Sequence, residues 1–229
     1  MHHEQHLKSS DTIRDIVIGM SDGLTVPFAL AAGLSGAVNS SGIVITAGIA
    51  EIVAGSIAMG LGGFLAGRTE SDHYHSELQR EYDEVERVPE QEKAEVKEVF
   101  ADFGLSPALQ DQIADEMAKD KDKWVDFMMR YELGLEKPEA NRASQSAITI
   151  GISYIVGGII PLSPYFFVSE SQIALYYSCA ITMVCLFVFG YFKSKVTGQP
   201  VFAGALKVLI IGAIAAAAAF IMAKLINGK

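Results

Sequence analysis

Residues 43–66 read IVITAGIAEIVAGSIAMGLGGFLA, and this stretch decides the fold class of the chain. It has 24 residues and a single charged side chain, Glu51. A helix needs about 20 consecutive, mostly apolar residues to cross the hydrocarbon core of a lipid bilayer. The stretch therefore predicts a transmembrane helix that carries one carboxylate inside the membrane.

Four further stretches have the same apolar character, at residues 16–38, 143–169, 171–192 and 201–223. We expect the first of them to be a membrane span rather than a cleaved signal peptide, because it is too long and carries Asp22. Pro161 and Pro164 predict that the third helix ends near Ile160. The sequence thus predicts an all-α membrane protein with five transmembrane helices, embedded in the lipid bilayer as a multi-pass protein.

The overall composition excludes several classes of protein. Half of the 229 residues are hydrophobic and only 20% are charged, and the mean hydropathy is +0.29. Such a chain has ample apolar material to bury, which excludes disorder, and two cysteines are too few for a disulfide scaffold. The net charge of −9 argues against nucleic acid as a partner and suits cations better.

Basic residues predict the orientation of the five spans. Sixteen of the 18 Lys and Arg residues fall in the segments expected on one side of the membrane. By the positive-inside rule, the N-terminus and the segment 67–142 face the cytosol. Because five spans are an odd number, we expect the C-terminus on the opposite side.

Residues 67–142 form a segment of different composition, which we call the acidic segment. Positions 68–142 hold 21 acidic and 11 basic residues. The second span is expected to continue into this segment as one long helix, since no Gly or Pro occurs from Arg68 to Val88. Ser106 and Pro107 predict the start of a further helix. We therefore divide the chain into residues 1–66 with two spans, a small cytosolic helical domain at 67–142, and residues 143–229 with three spans.

Asp22 and Glu51 are the first candidates for function. A carboxylate at the centre of a bilayer costs about 2.5–3.5 kcal/mol on insertion scales and usually faces a cavity or an ion path. Glu51, Gly55 and Met59 share one helix face at spacing i, i+4, i+8, and the Met59 thioether suits late transition metals. The alternatives are a structural hydrogen bond between helices for the carboxylates and ordinary packing for Met59.

The acidic segment holds a second set of carboxylates. They follow helical spacing within three groups: Glu77, Glu81 and Glu84; Glu92 and Glu95; Met128 and Glu132. If these faces converge, they form a site of several carboxylates and a thioether, suited to a divalent metal. A solvated acidic face would explain the same spacing, and Met128 also belongs to an apolar stripe that predicts a hydrophobic core.

Small residues predict how the first two spans pack. The glycines along them include eight that we single out: Gly19, Gly23, Gly33, Gly36, Gly55, Gly60, Gly63 and Gly67. Such residues allow transmembrane helices to approach closely. Because five helices are few to enclose a pathway, we expect a homodimer with these faces at its interface.

Three features together resemble the vacuolar iron transporter family, most of all its plant members. They are Ser21-Asp22-Gly23-Leu24 in the first span, Ala50-Glu51 through Met59 in the second, and the acidic segment between spans two and three. The resemblance covers nearly the whole chain. It implies a dimeric, proton-coupled antiporter that moves ferrous iron from the cytosol into the vacuole, with manganese as a substrate of some members.

The resemblance also assigns roles to residues. It places Asp22, Glu51 and Met59 in the transport pathway. The implied metal ligands of the acidic segment are Glu81, Glu84, Glu92, Glu95, Met128 and Glu132. Glu77 is added from spacing alone. No prosthetic group is expected, and the divalent metal (iron, with manganese and zinc as alternatives) is substrate and ligand of this segment.

Three other functions remain open at this point. A membrane-anchored scaffold would explain an acidic, partner-binding segment but not Asp22 and Glu51. A metal channel would need the same polar residues in the membrane as an antiporter. A membrane metalloenzyme would need more histidine than the single Glu-x-x-His at Glu70 and His73 provides, so we expect that the chain is not an enzyme.

Overall fold

The computed structural model describes residues 10–227, with side chains described from residue 11. Lys8 and Lys229, two of the basic residues used to predict the orientation, lie outside the described residues. The elements in chain order are α1 (Ser10–Ala37), α2 (Ser41–Arg87), α3 (Pro89–Asp102), α4 (Pro107–Met117), α5 (Lys121–Phe127), a π-helical turn (Met128–Glu132), α6 (Arg142–Leu162), a 3₁₀ turn (Ser163–Phe166), α7 (Ser171–Val196) and α8 (Val201–Ile226).

Five of these helices are long and apolar enough to cross a membrane by length and composition: α1, α2, α6, α7 and α8. Across residues 10–227 the β-type pairing is limited to one isolated bridge between Ser40 and Glu170. The prediction of an all-α membrane protein with five spans is therefore confirmed. The expectation that the second span continues as one long helix is confirmed as well, because α2 has 47 residues.

The chain divides into two compact units. The first, which we call the membrane unit, consists of the chain up to Phe64 and from Ser144 onward. The second, the cap unit, is Leu65–Ala143.

Helix α6 of the membrane unit packs very closely against both α1 and α2. A Cβ atom added to Gly157 of α6 would lie 2.9 Å from the backbone nitrogen of Leu24 in α1. A Cβ atom added to Gly60 of α2 would lie 2.9 Å from the carbonyl oxygen of Ala147 in α6. Distances this short leave no room for a side chain, so the glycines set the separation of these three helices. Helix α1 also packs against α7 and α8.

The eight glycines singled out in the sequence contact other parts of the same chain. Those in α1 face α6 or α8, those in α2 up to Gly63 face α6, and Gly67 faces Ala143. Other parts of the same chain therefore fill the space left by their missing Cβ atoms, and their placement at the interface of a homodimer stays a prediction.

The third span ends two residues later than expected. Pro161 lies inside the last turn of α6, which ends at Leu162. A proline has the φ angle of a helix but no N–H to donate to the carbonyl four residues earlier, so it can occupy the last turn at the cost of one hydrogen bond. The 3₁₀ turn then follows, and the Pro161 carbonyl accepts a hydrogen bond of 2.7 Å from Ser178 Oγ of α7.

The cap unit has its own hydrophobic core. Trp124, Val125, Met128 and Met129 are buried there together with Val96. Helix α3 begins at Pro89. Helix α4 follows Ser106, as predicted, although the Ser106 side chain makes no capping hydrogen bond. This core holds α3, α5 and the π-helical turn against the last turns of α2. The candidate carboxylates lie on α2, α3 and the π-helical turn.

Candidate functional site

Tyr154 of α6 lies between the two helices that carry the candidate pathway carboxylates. A Cβ atom on Gly23, the neighbour of Asp22, would lie 2.9 Å from the Tyr154 Cα atom. A Cβ atom on Gly55, one turn after Glu51, would lie 2.5 Å from the Tyr154 hydroxyl oxygen. Tyr154 is only 2% exposed. The helix segments that carry Asp22 and Glu51, distant in the sequence, are therefore both packed against one buried tyrosine.

Only one of the two carboxylate oxygens of Glu51 accepts a hydrogen bond from the described residues. The Tyr154 hydroxyl donates a hydrogen bond to Glu51 Oε1. The second carboxylate oxygen, Oε2, is buried and has no hydrogen-bond partner among the described residues. The Tyr154 hydroxyl also lies within electrostatic range of Asp22. A buried carboxylate oxygen without a partner is costly, so this position favours a proton or a cation.

Met59 lies two turns beyond Glu51 on the same face of α2. Glu51, Gly55 and Met59 are all half-buried, whereas residues on either side of this strip are exposed or fully buried. Eight residues of α-helix separate Glu51 from Met59 by about 12 Å. The structure therefore brings Asp22 and Glu51 together around Tyr154 and places Met59 farther along the same strip.

Glu51 also reaches a groove on the outside of the membrane unit. The groove has a volume of about 470 Å³, and apart from Glu51 of α2 it is lined by residues of α1 and α8. These include Thr25, Ala29 and Ala219, and Glu51 is the only ionisable side chain among its lining residues.

Sequence analysis missed Tyr154, because it singled out only charged residues and thioethers within the spans. The available signal was a tyrosine within an otherwise apolar stretch, followed by the pair Gly157 and Gly158. That pair marks the face of α6 on which neighbouring backbones come close.

Two glutamates form the centre of the acidic cluster in the cap unit. Glu81 of α2 and Glu92 of α3 are each 2% exposed, and Oε2 of each has no hydrogen-bond partner among the described residues. Desolvation, together with the charges of Glu95, Glu81, Glu84 and Glu132, raises the pKa of Glu92 to about 7. The pKa of Glu81 is also raised, by desolvation and then by Glu84.

Glu132 belongs to the same cluster. Desolvation, followed by the charges of Glu95 and Glu81, raises its pKa to about 7. The Glu132 side chain is exposed, unlike that of Glu92, so water screens its interactions more strongly. Glu95 accepts a hydrogen bond of 3.2 Å from Gln91. The mutual effects on pKa show that the glutamates of α2, α3 and the π-helical turn face one another.

Arg80 is a cation inside this cluster that sequence analysis did not single out. Its guanidinium lies 2.7 Å from Glu77, 3.7 Å from Glu81 and 3.4 Å from Glu84. Glu77, the residue added from spacing, is thus an ion-pair partner of Arg80. The arginine offsets part of the negative charge that the glutamates carry together.

Met128 lies in the core of the cap unit, with no exposed surface. It begins the π-helical turn, in which the Leu133 N–H donates to the Met128 carbonyl at 3.1 Å. The sequence predicted that Met128 and Glu132 lie one turn apart on an α-helix. In the structure these residues form a π-helical turn instead of a turn of α-helix. Such turns are frequent at functional sites.

The cluster is not a closed metal site. Among the described residues, no group of three or more His, Cys, Asp or Glu side chains is arranged to hold a metal ion directly. The six glutamates and Met128 are gathered on facing elements, and binding of a metal would require their side chains to turn toward a common point. The ligand and pathway roles of the named residues stay predictions.

Comparison with known proteins gives a consistent match over nearly the whole chain. The model of the VIT family matches residues 13–224. Vacuolar iron transporter 1 of Tulipa gesneriana is 51% identical, over 99% of this chain and 92% of its own length. Vacuolar iron transporter 1 of Arabidopsis thaliana is 52% identical, over 99% of this chain and 90% of its own length. Protein CCC1 of Saccharomyces cerevisiae is 40% identical, over 94% of this chain and 69% of its own length.

The similarity extends across α1, α2, the cap unit and the last three spans, so it includes every candidate residue described above. The relatives from plants are named as transporters, which agrees with the expectation that the chain is not an enzyme. The resemblance inferred from Ser21-Asp22-Gly23-Leu24, Glu51 and the acidic segment is thus confirmed: the chain belongs to the VIT family.

Proposed function

We propose that this chain is a proton-coupled antiporter that carries ferrous iron from the cytosol into the vacuole, with manganese as a further substrate. The observation that carries the proposal is the pair of membrane carboxylates, Asp22 and Glu51, on two helices packed against Tyr154. One buried Glu51 oxygen has no hydrogen-bond partner among the described residues. The names of the plant relatives support iron as the substrate and the vacuolar membrane as the location.

The membrane carboxylates can exchange a proton for a metal ion. A carboxylate held in an apolar environment has to be neutralised, either by a proton or by a cation. A metal that reaches Asp22 and Glu51 from the cytosol displaces their protons, and protons from the more acidic side displace the metal again. Tyr154 holds one Glu51 oxygen, so the other remains available for this exchange.

Met59 supplies the third proposed pathway group. Its thioether can replace part of the water around ferrous iron and binds magnesium or calcium poorly. Because Met59 lies on the strip of α2 that includes Glu51, an ion moving along this face meets a sulfur and a carboxylate in succession.

The cap unit is proposed to capture the metal first. A divalent cation is attracted by the charges of Glu81, Glu84, Glu92, Glu95 and Glu132, and its binding replaces the protons that Glu92 and Glu132 hold near pH 7. Met128 is proposed as the sulfur ligand. Capture raises the local concentration of metal on the cytosolic side.

We further propose a homodimer, in which the N-terminus and the cap unit face the cytosol and the C-terminus faces the vacuolar lumen. The distribution of basic residues supports this orientation. The groove that contains Glu51 supports the dimer, because a second copy along α1 and α8 would complete a pathway that one membrane unit leaves open.

The test is uptake of ferrous iron and manganese into liposomes that contain the full-length protein, with and without an imposed pH gradient. Uptake that grows with the gradient, together with proton movement in the opposite direction, is expected. Asp22→Asn should abolish uptake and leave the protein folded. The matched control is Glu170→Gln, which removes one carboxylate at the start of α7, outside the apolar core of the spans, and should transport normally.

Three results would contradict the proposal. Metal flux that ignores the proton gradient would indicate a channel. Normal uptake by Asp22→Asn would remove the role given to Asp22. No uptake of iron, manganese or zinc by folded wild-type protein would favour a membrane-anchored scaffold.

A further inference from the structure

The last quarter of the chain carries positive charge without any compensating acid. After Glu170 the sequence contains no Asp or Glu, but it contains five lysines, in a protein whose net charge is −9. Three of these lysines, Lys193, Lys195 and Lys207, lie where α7 ends and α8 begins. None of the three forms an ion pair with a carboxylate of the described residues.

Two of these lysines line one cavity, which we call the basic pocket. It has a volume of about 310 Å³ and lies between the end of α7 and the start of α8. Lys193 and Lys207 contribute the charges, and Ser194, Thr197 and Gln199 contribute hydroxyl and amide groups. Lys195, only two residues from Lys193, does not line it, and neither do the α1 carboxylates Asp11 and Asp15.

The backbone gives the basic pocket a fixed shape. Helices α7 and α8 touch at its base, where a Cβ atom on Gly190 would lie 2.8 Å from the Cα atom of Ala205. Gly198, with φ of 67°, allows the tight turn between the helices. The N-terminus of α8 at Pro200 has no side-chain cap, so its first N–H groups and the positive end of its dipole add to the attraction for an anion.

We expect the pocket to lie at the level of the charged lipid headgroups, because it lies at the ends of two helices that are long and apolar enough to span a membrane. Lys193 is in the last turn of the spanning helix α7, and Lys207 is in the second turn of the spanning helix α8. The lining then continues into the apolar side chains Val208 and Ile211, which follow Lys207 toward the middle of α8. Ile211 is exposed, as expected for a side chain that contacts an acyl chain.

We propose that the basic pocket binds the headgroup of an anionic phospholipid, with the phosphate between Lys193 and Lys207 and one acyl chain along Val208 and Ile211. Basic pockets between transmembrane helices on the cytosolic side are a known type of lipid site. A volume of 310 Å³ is at the lower limit of small-molecule pockets, about 300–1,000 Å³, and suits a headgroup rather than a whole lipid. The proposal does not depend on the transport activity.

The test uses the full-length protein in dodecyl maltoside micelles and fluorescently labelled phosphatidylserine, whose binding is measured by anisotropy. Labelled phosphatidylcholine, which has no net charge, serves as the reference lipid. A lysine near the membrane surface contributes about 1 kcal/mol of binding to anionic lipid, which corresponds to about fivefold in affinity. Lys193→Gln and Lys207→Gln are each expected to weaken binding about fivefold, and Lys207→Arg should retain it.

Lys195→Gln is the matched control, because it removes the same charge from the same turn without touching the basic pocket. It should change the affinity less than twofold. An equal loss in Lys195→Gln and Lys207→Gln would overturn the proposal in favour of general surface attraction. Equal affinity of the wild type for both lipids would overturn it as well.

A competition experiment distinguishes binding of a lipid from binding of a soluble anion. Inorganic phosphate and glycerophosphoserine are added as competitors at the concentration of the labelled lipid, and neither should displace it, because both lack an acyl chain. Displacement by either would assign the pocket to a soluble phosphate compound and refute the membrane source. Circular dichroism and size-exclusion chromatography of each variant confirm that the proteins compared are folded.

Discussion

Glu92 of the cap unit should make the stability of this unit fall as the pH rises, in the absence of metal. The folded-state pKa is about 7, against an ordinary value of 4.5, chiefly because the carboxyl is buried. A raised pKa means that the folded state binds the proton more tightly than the unfolded state. The stability due to this proton is complete below pH 4.5 and is lost as the pH passes through 7.

The size of the effect follows from the same two values. One pKa unit corresponds to about 1.4 kcal/mol, so the shift of Glu92 corresponds to about 3 kcal/mol between pH 4.5 and pH 8. Because Glu92 is 2% exposed, water screens this interaction little. Glu92→Gln keeps the size of the side chain but has no charge at any pH. At pH 8 the variant should therefore be about 3 kcal/mol more stable than the wild type, and at pH 4.5 about equally stable.

Trp124 makes the measurement possible in the full-length protein. It is the only tryptophan of the chain and is buried in the core of the cap unit. Its fluorescence during urea unfolding in detergent therefore reports on the cap unit alone. The matched control is Glu98→Gln on the same helix, α3, where the side chain is exposed, and its stability should follow that of the wild type at every pH.

Addition of manganese connects this stability to the proposed metal binding. At pH 8, manganese should stabilise the wild-type cap unit, because a ligand that binds only the folded state shifts the unfolding equilibrium. It should stabilise Glu92→Gln much less. The reasoning is refuted if the wild type and Glu92→Gln show the same dependence on pH, or if Glu98→Gln reproduces the gain.

Two further predictions concern the contacts of α6. Tyr154→Phe removes the hydrogen bond that Tyr154 donates to Glu51. This variant should lower the stability of the detergent-solubilised protein by about 1–3 kcal/mol and reduce metal uptake. Tyr176→Phe, at a side chain that is 76% exposed, should change neither. Gly157→Ala forces a methyl group to within 2.9 Å of the α1 backbone and should destabilise the protein by about 1–3 kcal/mol in thermal unfolding. Gly62→Ala is the control, because its added methyl group would meet no atom within 4 Å, and it should be neutral or stabilising by up to about 1 kcal/mol. An equal loss of stability in Gly157→Ala and Gly62→Ala would contradict this account of the α1–α6 contact.

The number of spans and the long helix α2 could be predicted from the sequence because both depend on local composition. Each span is a continuous apolar stretch, and α2 continues beyond the span to a length of 47 residues because neither Gly nor Pro occurs between Arg68 and Val88. The end of α6 at Leu162 was harder to predict, since a proline is compatible with the last turn of a helix and marks its end only approximately.

The candidate site was predictable only in part, because its geometry depends on contacts between distant parts of the chain. Asp22 and Glu51 stand out in the sequence through the cost of a charge in the membrane. Tyr154 does not, since its importance comes from Gly23 and Gly55 on two other helices. Arg80 is similar: among many charged residues of the acidic segment, only its position beside three glutamates distinguishes it.

The close contacts around Tyr154 also limit how the proposed exchange of proton and metal can take place. The backbone of α6 touches that of α1 at Gly23 and Gly157, and the Tyr154 ring fills the space beside Gly55 of α2. Any sliding of these helices at this level would drive backbone atoms into one another, and packed interiors resist such strain. We therefore expect the metal to enter and leave through rotation of the Asp22 and Glu51 side chains about a fixed Tyr154. The access that changes during transport would then lie beyond this level, along the strip that leads to Met59.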